Sequence, residues 1–354
     1  MRDIIPDLKK WLAAGKRDIA LATIVETRGS SLRETGTRMA INAGGEVTGS
    51  VSSGCVDGDA IAEMEFVLTE DAGIRRPFFG VSDEEAWGAG LACGGAIDVL
   101  VESWSPIYET LISEIDANRP VGFASRTDTP THLLCTAGGQ VHGTLGDVAL
   151  DAAVRADMAA AWPGPHAKKH SYPQGEVFVE VIAPPPTLLI FGATDIGLAL
   201  AKLARVVNYE VIVSDARRTF LNEERFPDVT TRFGWPQDVF KSEEFGPGWS
   251  IVLLFHDPKF DTPALTLALR SEASYIGLLG SPKTQADRRD RMREAGFTEE
   301  DLARIHGPVG LDIGGKDPAM IALSILSEVA AVRHRRPGNM LYNKQKETPA
   351  GSPD

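Results

Sequence analysis

Cysteine is the scarcest chemically active residue in this chain: Cys55, Cys93 and Cys135 are three among 354 residues. Three thiols in unlike local contexts cannot form a fully paired disulfide framework. A reducing compartment fits this usage, and so does thiol chemistry. The chain has no CxxC, no GxSxG and no Walker A loop, so three common chemistries lack their sequence signs. No apolar run is long enough to span a bilayer, which removes a membrane span from the expectation. The opening MRDIIPDLKKWLAAG lacks the basic-then-apolar layout of a signal peptide. Ile5, Leu8, Trp11 and Leu12 instead fall at helical spacing and predict a short amphipathic helix. Basic residues are also short, 36 Lys and Arg against 49 Asp and Glu, a net charge of −13. Nucleic acid wants a basic face and is a poor partner for such a chain. Acidity of this size speaks mainly to solubility.

What is present exceeds one ordinary core, so two domains are expected. The first spans residues 1–183. Its apolar runs, Ile19 to Val25 and Ile97 to Val101, sit among many glycines. Residues 106–150 continue it, with a helical pattern at Leu111 to Ile115 and strand-like runs at Gly122 to Ser125 and Thr131 to Leu134. Residues 162–174, WPGPHAKKHSYPQ, are rich in Pro and Gly and read as a linker. A strand-like EVFVEVI follows, then the stiff break Pro184-Pro185-Pro186.

The second domain, residues 184–336, alternates strand and helix. Leu188 to Phe191 is a continuous apolar run, as in a parallel strand buried on both faces. A glycine turn, a helical period over Ile196 to Val206 and a strand at Val211 to Val213 follow. Further strands are predicted at Thr230 to Phe233, Ile251 to Phe255 and Tyr275 to Leu279. This alternation predicts a Rossmann-like, doubly wound parallel sheet behind a mixed α/β, glycine-rich N-terminal domain. Asp317-Pro318 caps a last helix ending at His334, apolar nearly all round and expected to be buried. Residues 337–354 read as a disordered tail.

Four constellations carry candidate chemistry. Residues 28–68 crowd glycines and serines around Arg28, Arg33 and Arg38. Cys55 follows Gly54 and sits just before, or within, the first turn of a helix. Such a position lowers a thiol pKa and favours anions; Ser50 and Arg33 are further candidate anion donors. The plainer alternative is a glycine-rich β-domain with one small buried Cys. In residues 87–102, Cys93 precedes Gly94 and Gly95, either an accessible thiol or a small core residue at a bulge. The turn Gly192-Ala193-Thr194-Asp195-Ile196-Gly197 departs from G-x-G-x-x-G. Thr194 and Asp195 stand where a pyrophosphate would lie, and both oppose it. Asp215 ends the next strand, where an acid would hold a ribose 2′-hydroxyl. The fourth is a ring at the strand ends: His256, Ser281 with Lys283 and Arg288, and Gly310 to Gly315. The plainer alternative makes Ser281 only an N-cap and His256 a turn residue, and for His256 alone that reading is favoured. His166 and His170 have the spacing of a helical metal pair but no further ligand nearby, so no metal site is expected. Cys135 reads as structural.

Taken together, GSSLRETGTRM…GSVSSGCVDGDAI, GAGLACGG, LIFGATDIGLALAKLA…VSDAR, HDPKFD, YIGLLGSPKT and PVGLDIGGKDPAMIALSILSEV resemble the XdhC/CoxI family, across both domains. The resemblance implies a cytoplasmic, homodimeric factor that binds molybdenum cofactor (molybdopterin) and protects it. It implies assistance in the cofactor's sulfuration, with a cysteine desulfurase as partner, and delivery to a xanthine dehydrogenase-type molybdenum hydroxylase. Carried over by position, Cys55 and Cys93 are the thiols that meet the cofactor. Relatives commonly have a G-A-G-H-V-G-like turn where this chain has GATDIG. The alternative function is an NAD(P)-dependent oxidoreductase built on the second domain. No Tyr-Lys pair or hydride-site acid/base supports it, which favours a non-catalytic maturation chaperone.

Overall fold

The computed structural model describes residues 1–29, 33–70, 73–80, 95–162, 164–255 and 257–340. Cys93, Gly94 and His256 lie outside them, as does most of the expected tail. The chain forms two compact units, Met1–Pro184 and Pro185–Asp354.

The first unit opens with α1 (Ile5–Ala13), whose Ile5, Leu8 and Trp11 are buried, as the helical spacing requires. Its first sheet contains β1 (Ile19–Arg28), β2 (Arg38–Asn42), β3 (Val47–Gly49), β4 (Ile74–Arg75), β5 (Phe78–Phe79) and β6 (Ala96–Ser103). The order is β3-β2-β1-β6-β4, with β5 also on β6. The central β1 is buried through Val25 because both its faces are covered. Ile19 and Leu21 pack with α1. Ala20, Ala22 and Ile24 pack with Ala60, Met64 and Val67 of α2 (Asp57–Thr69). A strand covered on both sides reads as a continuous apolar run.

The second sheet of this unit is flanked by α3 (Ile107–Asp116) and α4 (Val148–Ala161). It comprises β7 (Val121–Arg126), β8 (His132–Thr136), β9 (Val141–Gly143), β10 (His166–Tyr172) and β11 (Gly175–Ile182), in the order β10-β11-β7-β8-β9. Asp147 caps α4 by accepting from Leu150 N at 2.8 Å. Leu150, Val154 and Met158, four residues apart, then face the sheet.

Here the linker expectation is corrected. Residues 166–172 form β10, paired antiparallel with β11 from His166↔Val181 to Tyr172↔Gly175. An edge strand buries little, and lysines suit it; that polar composition is what disguised it. His166 and His170 are on one face of this strand, with Nε2 atoms 3.3 Å apart. Among the described residues no group of three or more His, Cys, Asp or Glu is placed to hold a metal.

The two sheets of the unit meet through buried charge. Arg38 on β2 is 1% exposed and its guanidinium grips both carboxylate oxygens of Glu180 on β11. Burial opposes the charge, but the Glu180 carboxylate more than offsets it and holds Arg38 protonated. Arg38 is therefore committed to the core and is not a phosphate ligand. Nearby, Glu102 accepts from Tyr108 Oη and contacts His132 Nε2 at 2.7 Å, all three buried.

The second unit is one parallel sheet of β12 (Thr187–Phe191), β13 (Glu210–Asp215), β14 (Thr230–Phe233), β15 (Trp249–Leu253), β16 (Tyr275–Leu278) and β17 (Ile305–His306). The order β14-β13-β12-β15-β16-β17 reverses between β12 and β15, where open α/β sheets leave a crevice at their carboxyl ends. The helices are α5 (Asp195–Val206), α6 (Pro236–Val239), α7 (Pro258–Leu269), α8 (Pro282–Glu294), α9 (Glu299–Ala303) and α10 (Pro318–Arg333). Helices α5 and α10 share one core with the sheet, and α7, α8 and α9 the other. Asp317 caps α10 on Ala319 N and Met320 N. That helix buries one face only, through Ala322, Ile325, Leu326 and Val329, while Leu323 is exposed. Its composition is apolar all round, yet only one side meets the sheet. No helix among the described residues is long and apolar enough to cross a membrane.

Candidate functional site

The turn from β3 into α2 holds three of the expected site residues, Ser50, Gly54 and Cys55. Its geometry is set by Asp57, the first residue of α2. One oxygen of the Asp57 carboxylate accepts from Val51 N at 3.1 Å, Ser52 N at 2.9 Å and Ser52 Oγ at 2.8 Å. The other accepts from Ser50 Oγ at 2.6 Å and Gly54 N at 2.9 Å. Ser50 Oγ in turn accepts from Ser53 N at 2.7 Å, and Ser52 Oγ from Val56 N at 2.8 Å. Ser53 and Gly54 are both left-handed, at φ of +59° and +108°, which lets successive N–H groups curl around one anion. That anion is Asp57 itself. Burial works against its charge, but the Ser50 and Ser52 donors prevail and hold the carboxyl below the usual range.

The donors of the loop thus turn inward, and what they leave outside is the thiol. Cys55 is exposed and free, between the exposed Gly54 and the buried Val56. Among the described residues, a Cβ at Gly54 would meet nothing within 4 Å. From the sequence alone, an external anion is expected at this helix start. The missed residue is Asp57, and the available signal was an acid closing a Ser-Ser-Gly run at a helix start. Arg33 is half-buried in the segment before β2.

In the second unit, the turn after β12 brings Gly192, Gly197 and Asp215 together. Gly192 has φ +123°, and a Cβ at Gly197 would stand 2.3 Å from Gly192 O, so these two glycines serve the close helix–strand packing. Thr194 caps α5, its Oγ1 accepting from Gly197 N at 3.1 Å. That donor is one a pyrophosphate would use. Asp195 is in the first turn and pairs with Arg225 at 2.8 Å. Asp215 is fully buried. Its Oδ2 accepts from Ala193 N at 2.8 Å and Arg217 Nη2 at 2.7 Å, and its Oδ1 from Arg217 N at 2.8 Å and Nε at 2.9 Å. The carboxylate expected to hold a ribose already has four donors, and Arg217 was the residue missed. After the neighbouring strands, Trp235 stacks on Phe260 at 4.3 Å and Phe260 on Phe255 at 5.0 Å.

Ser281 and Arg288, also expected at this edge, are turned to structure. Ser281 caps α8, accepting from Thr284 N at 3.2 Å. Arg288 is buried against Asp261 and donates to Leu279 O at 2.6 Å and Phe255 O at 2.8 Å. It ties the ends of two strand segments.

Comparison with known proteins agrees with both units. Residues 11–76 match the model of the XdhC and CoxI family, and residues 188–329 match the XdhC Rossmann domain. The chain is 27% identical to a probable xanthine dehydrogenase subunit of Bacillus subtilis, covering 92% of this chain and 96% of that one. It is 27% identical to the molybdenum cofactor insertion chaperone PaoD of Escherichia coli, covering 94% and 88%. A crystal structure described as a xanthine dehydrogenase from Bacillus halodurans superposes with a TM-score of 0.75 at 22% identity, over 96% of this chain and 98% of that one. The fold is therefore shared, and the two family models fall in order on the two units: the chain belongs to the XdhC and CoxI family.

Proposed function

We propose that this protein is an accessory factor that binds molybdenum cofactor and inserts it into a xanthine dehydrogenase-type molybdenum hydroxylase. The names carried by the Bacillus subtilis and Escherichia coli relatives support this. The observation that carries it is the Cys55 loop: an exposed thiol on a backbone fixed by Asp57. Thiolate is a soft ligand suited to molybdenum. Because Ser50, Ser52 and Gly54 are already satisfied by Asp57, the loop adds few strong polar contacts to a cargo. A carrier needs that balance, since the cargo has to leave. Protection of the cofactor, help with its sulfuration by a cysteine desulfurase, and work as a cytoplasmic homodimer belong to the same reading. Cys93 is the second thiol it invokes.

The test is Cys55→Ala. Cofactor retention after gel filtration should fall severalfold while circular dichroism stays unchanged. Equal occupancy in the variant and the parent protein would overturn the assignment of Cys55. A molybdenum hydroxylase matured equally well with and without the protein would overturn the function itself.

A further inference from the structure

The first unit carries a second feature that the Cys55 reading leaves unused. An open pocket of about 600 Å³ lies between α4 and the β8–β9 hairpin, lined by Cys135, Ala152, Arg155, Ala156, Met158 and Trp162. That volume is in the range of small-molecule sites. Ala152 and Ala156 are one helical turn apart on the exposed side of α4, and neither projects beyond Cβ. A flat body can therefore lie against the helix. Trp162, at the end of α4, adds a ring wall. Met158 and Cys135 add polarisable sulfur.

The charges around this pocket are uneven. Arg155 is exposed and has no ion-pair partner among the described residues. Asp151, four residues before Arg155 on the helix, is engaged by Thr144 and Leu145, accepting from Thr144 Oγ1 at 2.7 Å and Leu145 N at 2.8 Å. Burial pushes the Cys135 thiol up, Arg155 opposing and Asp151 adding to the effect. A thiol so raised stays neutral near pH 7 and does not repel an anion. An apolar slot with one uncommitted guanidinium selects a flat ring carrying one acidic group.

We propose that the pocket between α4 and the β8–β9 hairpin binds a planar aromatic anion, its ring between the alanine face of α4 and Trp162 and its acidic group on Arg155. This goes beyond the molybdenum reading and stands or falls apart from it. The acidic group is a carboxylate or a phosphomonoester; both fit one guanidinium.

Cys135 reports occupancy directly. Its alkylation by N-ethylmaleimide can be followed in the full chain by mass spectrometry of the Cys135 peptide. The probes are 2-naphthoate, 2-naphthyl phosphate, the neutral 2-naphthamide and inorganic phosphate. One or both aromatic acids should slow Cys135 alkylation at least tenfold at saturation, and the stronger of the two identifies the acidic group. Arg155→Gln should abolish that protection, as should Ala156→Leu, which fills the slot with a good helix former at an exposed position. No protection by either acid at millimolar concentration would overturn the proposal. So would equal protection by the amide or by phosphate alone, or protection that survives Arg155→Gln.

Discussion

Asp57 offers the sharpest test of how the site is built. Its carboxylate receives five hydrogen bonds from one turn. In Asp57→Asn one oxygen becomes an amide. The remaining oxygen can keep Val51 N, Ser52 N and Ser52 Oγ, and Ser50 Oγ can rotate to accept from the new amide. Gly54 N then faces a donor and loses its partner. Hydrogen bonds to charged groups contribute roughly 1.5–3 kcal/mol each, and the charge at the helix start adds about 0.3–1 kcal/mol. Asp57 is only partly buried, so solvent screening favours the low end, about 2 kcal/mol in all. That corresponds to roughly a thirtyfold rise in loop opening. Amide hydrogen exchange at Ser52 and Gly54 should accelerate by this factor, with little change in the strands. Cofactor retention should fall although Cys55 is intact. The carboxyl is held below its ordinary value, so its contribution is present above the unfolded pKa of about 3.9 and lost as pH falls through the folded value. The parent protein in that acid window should approach the variant. Unchanged exchange in Asp57→Asn at neutral pH would refute the view that Asp57 holds the turn.

Three further outcomes are expected. Arg38→Met should cost about 3–5 kcal/mol in urea unfolding by leaving Glu180 buried and unpaired; adding Glu180→Leu should restore most of it, and a smaller cost in the double variant than in the single one is the check. NAD should bind the unmodified chain far more weakly than micromolar by calorimetry. Thr194→Gly with Asp195→His should improve it less than tenfold, because Asp215 stays tied to Arg217; adding Arg217→Ala should improve it further. In Glu328, three partners offset burial and hold the carboxyl low: His306 Nδ1 at 3.1 Å, Tyr275 Oη at 2.7 Å and Gly310 N at 2.6 Å. Glu328→Gln should lower the melting temperature at pH 7 by a few degrees, for a loss of roughly 1–2 kcal/mol. The gap from the parent protein should close as pH falls through the lowered Glu328 value, since a depressed carboxylate stabilises only while ionised.

Much of this architecture is legible locally. The unbroken apolar run at Leu188 to Phe191 predicts a doubly covered parallel strand, and the strand is found there. Thr194, Ser281 and Asp317 are helix caps because short polar side chains reach back to N–H groups two or three residues on. Such signals lie within a few residues of their cause. Other features depend on residues far apart in the chain. The strand at 166–172 exists because β11 pairs with it, and its own composition says loop. Arg38 looks like an anion ligand until Glu180, 142 residues away, is seen gripping it. The spacing marks Asp215 as a candidate ribose ligand, and only the folded chain shows Arg217 turned back over the carboxylate. Asp57 turns an anion-binding loop into a self-filled one that presents Cys55. Composition and spacing determine which groups are available at each place. Which partner a charged group takes is settled by distance in three dimensions, because a carboxylate or guanidinium commits to the nearest opposite group that burial leaves it.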